Sequence, residues 1–221
     1  MKKIFLDITV LVLFLLVMSF HFLPRILHEI FGLIMPVAVA IHLIENRRWF
    51  LNLNHGKWTK RKIFSALINF SILLCFFVIL AAGICMSNYI FNEIIPLDIR
   101  RNMTIHQLHV SLPYVLMILI GVHVGLHWRE IWNRFINFVG VKKNSCKYKV
   151  SCCILSTVII CFGIYGAFLN RVGDRILMKH IFATPATELS WAEFLFLFVA
   201  TGGIFSAVTF WLDEKFFSGK K

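Results

Sequence analysis

Four histidines in two apolar stretches of this chain have the type and the spacing to hold a metal-containing cofactor. His28 and His42 are 14 residues apart, and so are His109 and His123. Fourteen residues make just under four turns of α-helix, so the two side chains of a pair point the same way and lie about 21 Å apart along the axis. Each stretch, folded as a helix, would therefore present two imidazoles on one face, near opposite sides of a membrane.

The chemistry that this pattern indicates is haem ligation. Imidazole is a strong ligand for iron, and axial ligation holds a haem that is not covalently attached. Any one intramembrane histidine is better explained as a hydrogen-bonded packing residue, but two equal pairs on helices that run in the same direction favour two bis-histidine sites. We predict an outer site held by His28 and His109, and an inner, cytoplasmic-side site held by His42 and His123.

The remaining histidines have weaker claims. His106 lies one turn before His109 and is its rival, but at 100° per residue His109 is offset from His123 by about 40° and His106 by about 100°. His127 is at the end of the same stretch, where it could bond a haem propionate, face lipid headgroups or be solvated, and we expect a supporting role. The other three are predicted to be interfacial or loop residues: His21, His55 and His180.

The elements that carry these histidines are predicted to be membrane-spanning helices. Hydrophobic residue types make up 59% of the 221 residues and charged types 15%, which leaves too few polar residues to cover a soluble domain of this size. Six apolar stretches approach the roughly 20 residues that cross a bilayer. They cover residues 4–23, 26–45, 63–86, 104–128, 150–169 and 193–212. The predicted fold is all-α, a polytopic transmembrane helix bundle of about six spans with a four-helix core that binds two stacked haems.

The distribution of basic residues predicts the orientation of the bundle. A net charge of +12 would suggest nucleic acid binding in a soluble protein. Here Lys2, Lys3, the segments 46–62 and 129–149, and the end of the chain hold 17 of the 23 lysines and arginines. Basic residues are retained on the cytoplasmic side, so both termini are predicted to be cytoplasmic, with membrane lipid rather than nucleic acid as the partner.

Small and charged residues near the predicted sites have candidate supporting roles. Gly32, Gly121 and Gly125 could leave room for a flat macrocycle. Five arginines flank the sites and could pair with haem propionates, although an ordinary topology signal or contact with lipid headgroups is the better explanation for any one of them. They are Arg25, Arg100 and Arg101 on the outer side and Arg47 and Arg48 on the inner side. The six cysteines form no C-x-x-C motif, so an iron–sulfur cluster or covalently attached haem is not predicted.

The histidine-bearing stretches resemble a known family. His28-Glu29-Ile30-Phe31-Gly32 with the later His42 and Asn46-Arg47-Arg48-Trp49, and His109 with His123-Val124-Gly125-Leu126-His127-Trp128, are similar to the bacterial flavinylation-associated cytochromes. These are small membrane proteins related in plan to di-haem cytochromes b, and the resemblance covers residues 26–130 best. It implies two haem b groups, electron transfer across the bacterial cytoplasmic (inner) membrane, and an extracytoplasmic flavoprotein as redox partner.

The sequence therefore favours a di-haem cytochrome b that passes electrons between a quinol or cytoplasmic-side donor and an extracytoplasmic partner. It would be an electron-transfer protein or a membrane subunit of an oxidoreductase. We expect residues 1–130 to carry the di-haem site, and 131–221 to supply a basic cytoplasmic loop and two helices of unknown role. One alternative is a haem-free transporter that uses intramembrane histidines as proton relays. Another is a membrane di-iron oxygenase. The motifs His123-x-x-x-His127 and His106-x-x-His109 superficially match the histidine boxes of such enzymes.

Overall fold

The computed structural model describes residues 2–53, 55–139, 146–179 and 188–217. Within these ranges the chain is helical, and no strand is present. The α-helices are α1 (Lys2–Met18), α2 (Arg25–Glu45), α3 (Arg47–Leu51), α4 (Lys60–Cys85), α5 (Leu97–Arg100), α6 (Met103–Val139), α7 (Cys146–Leu169), α8 (Val172–Ile176) and α9 (Trp191–Leu212). A 3₁₀ turn covers Phe20–Phe22, and a π-helical turn covers Asp213–Phe217.

Among the described residues, four helical segments are long and apolar enough to cross a membrane. They are Arg25–Glu45, Lys60–Cys85, Met103–Asn137 and Trp191–Phe216. These segments confirm the predicted second, third, fourth and sixth spans as apolar helices. The predicted first and fifth spans are also helical, as α1 and α7, but their apolar parts are shorter. Large apolar side chains such as Leu74 and Phe168 are exposed on the helices, which is typical of a surface that contacts lipid.

Helix boundaries follow from local chemistry. Pro24 occupies the N-cap position of α2, where its missing N–H is not needed, and this confirms the predicted break before that helix. At the other end, the Asn46 side chain donates to the His42 carbonyl over 2.9 Å, and Lys3 Nζ donates to the Glu45 carbonyl over 2.8 Å. Lys3 satisfies a carbonyl at the end of α2, and the Asn46 side chain adds a second donor to the His42 carbonyl, which also accepts from the Asn46 N–H.

The chain forms two compact units, which divide both α4 and α6 between them. The first unit comprises Met1–Trp58 and Phe77–Pro113, and the second comprises Thr59–Phe76 and Tyr114–Lys221. In the first unit, α1 packs along α2. In the second unit, α9 packs along α7. The functional division at residue 130 that the sequence suggested stays a prediction.

Glycines in the second unit allow close packing of α9. A Cβ added at Gly125 of α6 would lie 2.6 Å from the Ser206 carbonyl oxygen, and one added at Gly166 of α7 would lie 2.8 Å from the Leu197 oxygen. Small residues at such positions let helix backbones approach, which is how helices associate in lipid. Gly121 likewise faces the Gly202 carbonyl of α9. The prediction that Gly121 and Gly125 leave room for a macrocycle is therefore wrong, because α9 occupies the space beside them.

Ion pairs join helix ends in the second unit. Arg61 Nε donates to Asp213 Oδ1 over 2.7 Å, and Arg61 also donates to the Leu126 carbonyl over 2.9 Å. The Asp213 side chain is buried, so the arginine compensates a carboxylate that would otherwise be costly at that position. Arg129 and Glu214 form a second, more exposed pair at 3.0 Å.

The close approach of α6 and α9 can be tested with a single methyl group. Gly125→Ala would place its Cβ against the Ser206 backbone, which cannot rotate away as a side chain could. We expect a loss of about 1–3 kcal/mol in unfolding free energy, the usual cost of overpacking. Gly173→Ala in α8 is the matched control, because a Cβ there meets nothing within 4 Å. Thermal unfolding in detergent measures both variants, and equal midpoints would contradict the packing described above.

Candidate functional site

The outer pair of predicted ligands meets inside the first unit. The rings of His28 in α2 and His109 in α6 face each other, with centroids 6.0 Å apart and planes at 89°. An imidazole–metal bond is about 2 Å long, so two imidazoles on opposite sides of one ion have ring centres about 6 Å apart. The separation also suits an ordinary edge-to-face ring contact. The hydrogen bonds of the two rings show whether Nε2 of each ring is available to a metal.

Both outer histidines are held through Nδ1 by backbone carbonyls. His28 Nδ1 lies 3.1 Å from the Val17 oxygen, and His109 Nδ1 lies 3.1 Å from the Ile79 oxygen. A carbonyl can only accept, so Nδ1 carries the proton in a neutral ring and Nε2 keeps its lone pair. Histidines that ligate metals usually donate their other N–H to a carbonyl or carboxylate in this way. The residues present therefore fit a metal-containing group between the two rings.

The inner histidines have the same kind of support. His123 Nδ1 lies 2.8 Å from the Asn69 side-chain oxygen. His42 Nδ1 lies 3.0 Å from the Asp7 carboxylate, within ion-pair distance but without the alignment of a hydrogen bond. His42 belongs to the first unit and His123 to the second. Their pairing across one haem stays a prediction.

The four Nδ1 contacts repeat one pattern. Both histidines of α2 are supported from α1, by oxygens of Asp7 and Val17, which are 10 residues apart. Both histidines of α6 are supported from α4, by oxygens of Asn69 and Ile79, which are also 10 residues apart. Three of the four Nδ1 atoms are hydrogen-bonded to these oxygens, and that of His42 lies at ion-pair distance from Asp7. The repetition therefore favours a common role for the four histidines.

The other histidines do not belong to this set of four. His109 is the residue of α6 whose ring lies near that of His28, whereas His106 is exposed; the choice of His109 as the ligand stays a prediction. The His127 ring lies 4.9 Å from that of His123, which is compatible with a supporting role. His21 and His55 are exposed, in keeping with interfacial or loop positions. His180 is outside the described residues.

Gly83 is a site residue that the sequence analysis missed. A Cβ at this position of α4 would lie 2.8 Å from His109 Cε1 and 3.3 Å from its Nδ1. The absence of a side chain there lets the His109 ring lie against α4 and reach the Ile79 carbonyl. No sequence signal marked Gly83, because a single glycine in an apolar helix is common in membranes. A Cβ at Gly32, by contrast, would meet no atom within 4 Å.

The arginines flanking the predicted sites differ in exposure. Arg25, Arg101, Arg47 and Arg48 are exposed, whereas Arg100 is half-buried and its Nε has no hydrogen-bond partner among the described residues. A surface cavity of about 300 Å³ is lined by Lys3, Ile44, Glu45, Arg47 and Arg48. This cavity has cationic walls at the predicted cytoplasmic end of α2. Pairing of these arginines with haem propionates stays a prediction.

Comparison with known proteins does not identify the chain. No protein-family model, no curated protein and no solved structure matches it. Among the described residues, no three His, Cys, Asp or Glu side chains form a group that could hold a bare metal ion. A haem takes at most two axial ligands from protein, so the histidine pairs are a different kind of site. The interpretation depends on the contacts of the four histidines.

The role of Gly83 in placing the His109 ring can be tested by substitution. Gly83→Ala should push the His109 ring away from the Ile79 carbonyl, because the added Cβ would meet the ring closer than van der Waals contact. We expect the affinity of the outer site for haem to fall about 10-fold or more, the usual effect of disturbing the support of a metal ligand. Haem titration of the purified variant measures this. Ala81→Val, an exposed position on the same helix, is the control, and equal affinities would contradict the role of Gly83.

Proposed function

We propose that this chain is a di-haem cytochrome b that carries electrons across a membrane. The observation that carries the proposal is the facing pair His28 and His109, each with Nδ1 bound to a backbone carbonyl. The donor would be a quinol or a cytoplasmic-side reductant, and the acceptor an extracytoplasmic protein, for which a flavoprotein is the candidate. The bacterial cytoplasmic membrane is the location that these expectations imply.

The residues that would hold the cofactors are the two predicted pairs. His28 and His109 would hold the outer haem b, and His42 and His123 the inner one. When bound, each haem supplies reversible one-electron exchange at its iron. The 14-residue spacing in α2 separates its two ligands by about 21 Å, a large part of the roughly 30 Å hydrocarbon core.

The protein residues set the orientation and basicity of the ligands. The Val17 and Ile79 carbonyls orient the outer imidazoles through neutral contacts. His123 has a neutral amide partner, whereas His42 has the Asp7 carboxylate. A carboxylate makes an imidazole a stronger electron donor, which stabilises the oxidised metal. The inner site would therefore have the lower reduction potential, and electrons would move outward downhill.

The proposed topology has six membrane crossings. They are α1, α2, α4, α6, α7 and α9, with both termini on the cytoplasmic side as the basic residues predict. The short helix α3 with Arg47 and Arg48 would then lie on the cytoplasmic side, and α5 and α8 on the outer side. Cysteine labelling from either side of intact vesicles would test this arrangement.

A haem-free proton carrier is the second candidate. The observation that favours it is the contact between Asp7 and His42, because a carboxylate next to an imidazole in a membrane helix can form part of a proton relay. The two functions differ in one measurement. The reduced-minus-oxidised absorption spectrum of purified protein should show low-spin b-type bands at two haems per chain for the cytochrome, and no such bands for the carrier.

Histidine variants test the assignment of ligands. His28→Ala and His109→Ala should each remove the outer haem alone, and His42→Ala and His123→Ala the inner haem alone, because each site has its own ligand pair. Haem content should fall from two per chain to one in every case, as measured by absorption. His106→Ala is the matched control and should keep both haems. Loss of both haems from a well-folded single variant would contradict the pairing.

The charge beside His42 gives a prediction for the potentials. Asp7→Asn should raise the midpoint potential of the inner haem on the order of 60 mV, a tenfold change in a one-electron equilibrium, because the imidazole becomes a weaker donor. A spectroscopic redox titration resolves the two haems. Asp98→Asn, which changes an exposed carboxylate in α5, is the control. An unchanged inner potential in Asp7→Asn would show that this carboxylate does not influence the ligand.

A further inference from the structure

A carboxylate next to His28 is bound by the backbone of the segment that follows α4. Glu29 Oε1 accepts from the Asn88 N–H over 2.8 Å. Its Oε2 accepts from the Ser87 hydroxyl over 2.8 Å and from the Ile90 and Tyr89 N–H groups over 3.1 and 3.3 Å. One side chain therefore ties α2 to the segment 87–90 by four hydrogen bonds, which we call the Glu29 clamp.

The segment 87–90 has the chemistry of an anion-binding site, and the Glu29 carboxylate occupies it. Successive backbone N–H groups in a turn form a concave site for anions. The partly buried Ser87 side chain reinforces this turn, because its hydroxyl oxygen also accepts from the Phe91 N–H over 2.9 Å and the Ile90 N–H over 3.2 Å. A carboxylate near lipid is costly without partners. Glu29 has four of them, and none is a cation, so its role differs from that of an ordinary salt bridge.

The chain immediately before this segment supports the other outer ligand. The last turns of α4 include Ile79, whose carbonyl binds His109 Nδ1, and Gly83, against which the His109 ring lies. Only three residues lie between Gly83 and Ser87. The residues that bind Glu29 and those that contact His109 therefore belong to one continuous stretch, residues 79–90, inside the first unit.

This arrangement connects the two ligands by a second route besides their facing rings. His28 is joined by the peptide bond to Glu29, the clamp joins Glu29 to the segment after α4, and α4 joins that segment to His109. We propose that Glu29 is a positioning residue of the outer site, which sets where α2 presents His28 relative to His109. The inference rests on the proposed haem-binding function.

The test compares Glu29→Gln and Glu29→Ala with Glu93→Gln, an exposed position in the same outer segment. Haem affinity, haem per chain and carbon monoxide binding to the reduced protein are measured for each. Carbon monoxide binds only when an iron has lost a ligand, and the inner haem serves as an internal reference for folding. Hydrogen exchange at the amides of residues 88–90 reports the clamp independently of haem.

We expect Glu29→Ala to lose protection at these amides, to bind haem at the outer site about 10-fold or more weakly, and to bind carbon monoxide. Glu29→Gln should be intermediate, because its amide oxygen can accept only part of the four hydrogen bonds. Glu93→Gln should match the unmodified protein.

Three results would overturn the inference, and they are distinguishable. In the first, both Glu29 variants keep two haems with unchanged affinity and bind no carbon monoxide. This result would show that Glu29 does not position His28, and it would leave the proposed function intact. Loss of both haems in Glu29→Ala with unchanged coordination in Glu29→Gln would make Glu29 a general folding residue. Absence of haem from the well-folded unmodified protein would reject the proposed function and the inference together.

Discussion

The need to satisfy every polar group inside a membrane determines how the histidines of this protein are held. A nitrogen with no partner in hydrocarbon costs several kcal/mol, and lipid cannot provide the missing hydrogen bond. Three of the four predicted ligands have a hydrogen bond to an oxygen of a neighbouring helix, and His42 has the Asp7 carboxylate within ion-pair distance. In α2 the oxygens come from α1, and in α6 they come from α4. The orientation of these four rings therefore depends on the packing of α1 and α4.

The same constraint explains the carboxylates of the apolar helices. Asp7 lies against His42, Glu29 is bound by backbone N–H groups, and Asp213 is paired with Arg61. Each of these acidic groups has a different kind of partner, and each lies close to a helix end rather than in the middle of a span. Glu29 and Asp7 are also adjacent to, or in contact with, predicted ligands. Two of these three carboxylates therefore lie where they can influence a predicted ligand.

The second unit shows a contrasting use of small residues. Glycines of α6 and α7 face carbonyls of α9, so close backbone approach contributes to the association of these helices, beside a hydrogen bond from the Thr201 hydroxyl to the Gly163 carbonyl. Such packing needs no cofactor between the helices concerned. In α6, Gly125 lies two residues after His123, so the glycine and the imidazole point in different directions around the helix. One helix therefore combines a packing face toward α9 with a face that carries histidines.

The sequence by itself determined the membrane class, the four long apolar helices and the four histidines at 14-residue spacing. These properties are local, because hydrophobic length and helical period can be counted along the chain. The preference for His109 over His106 as a ligand also comes from angles within one helix, and it stays a prediction. The division of the chain into units that share α4 and α6 was not accessible from the sequence, because it depends on contacts between distant segments.

Only the tertiary structure decided which atoms surround each ligand. Gly121 and Gly125 were expected to leave room for a macrocycle, but α9 lies there, while the unremarked Gly83 lies against His109. The Val17 and Ile79 partners of the outer histidines could not be predicted from sequence, because they are backbone carbonyls, which every residue has. The same holds for the backbone N–H groups that bind Glu29. A sequence shows which side chains can do chemistry. The positions of shared backbone groups, which orient those side chains, appear only when the helices have packed.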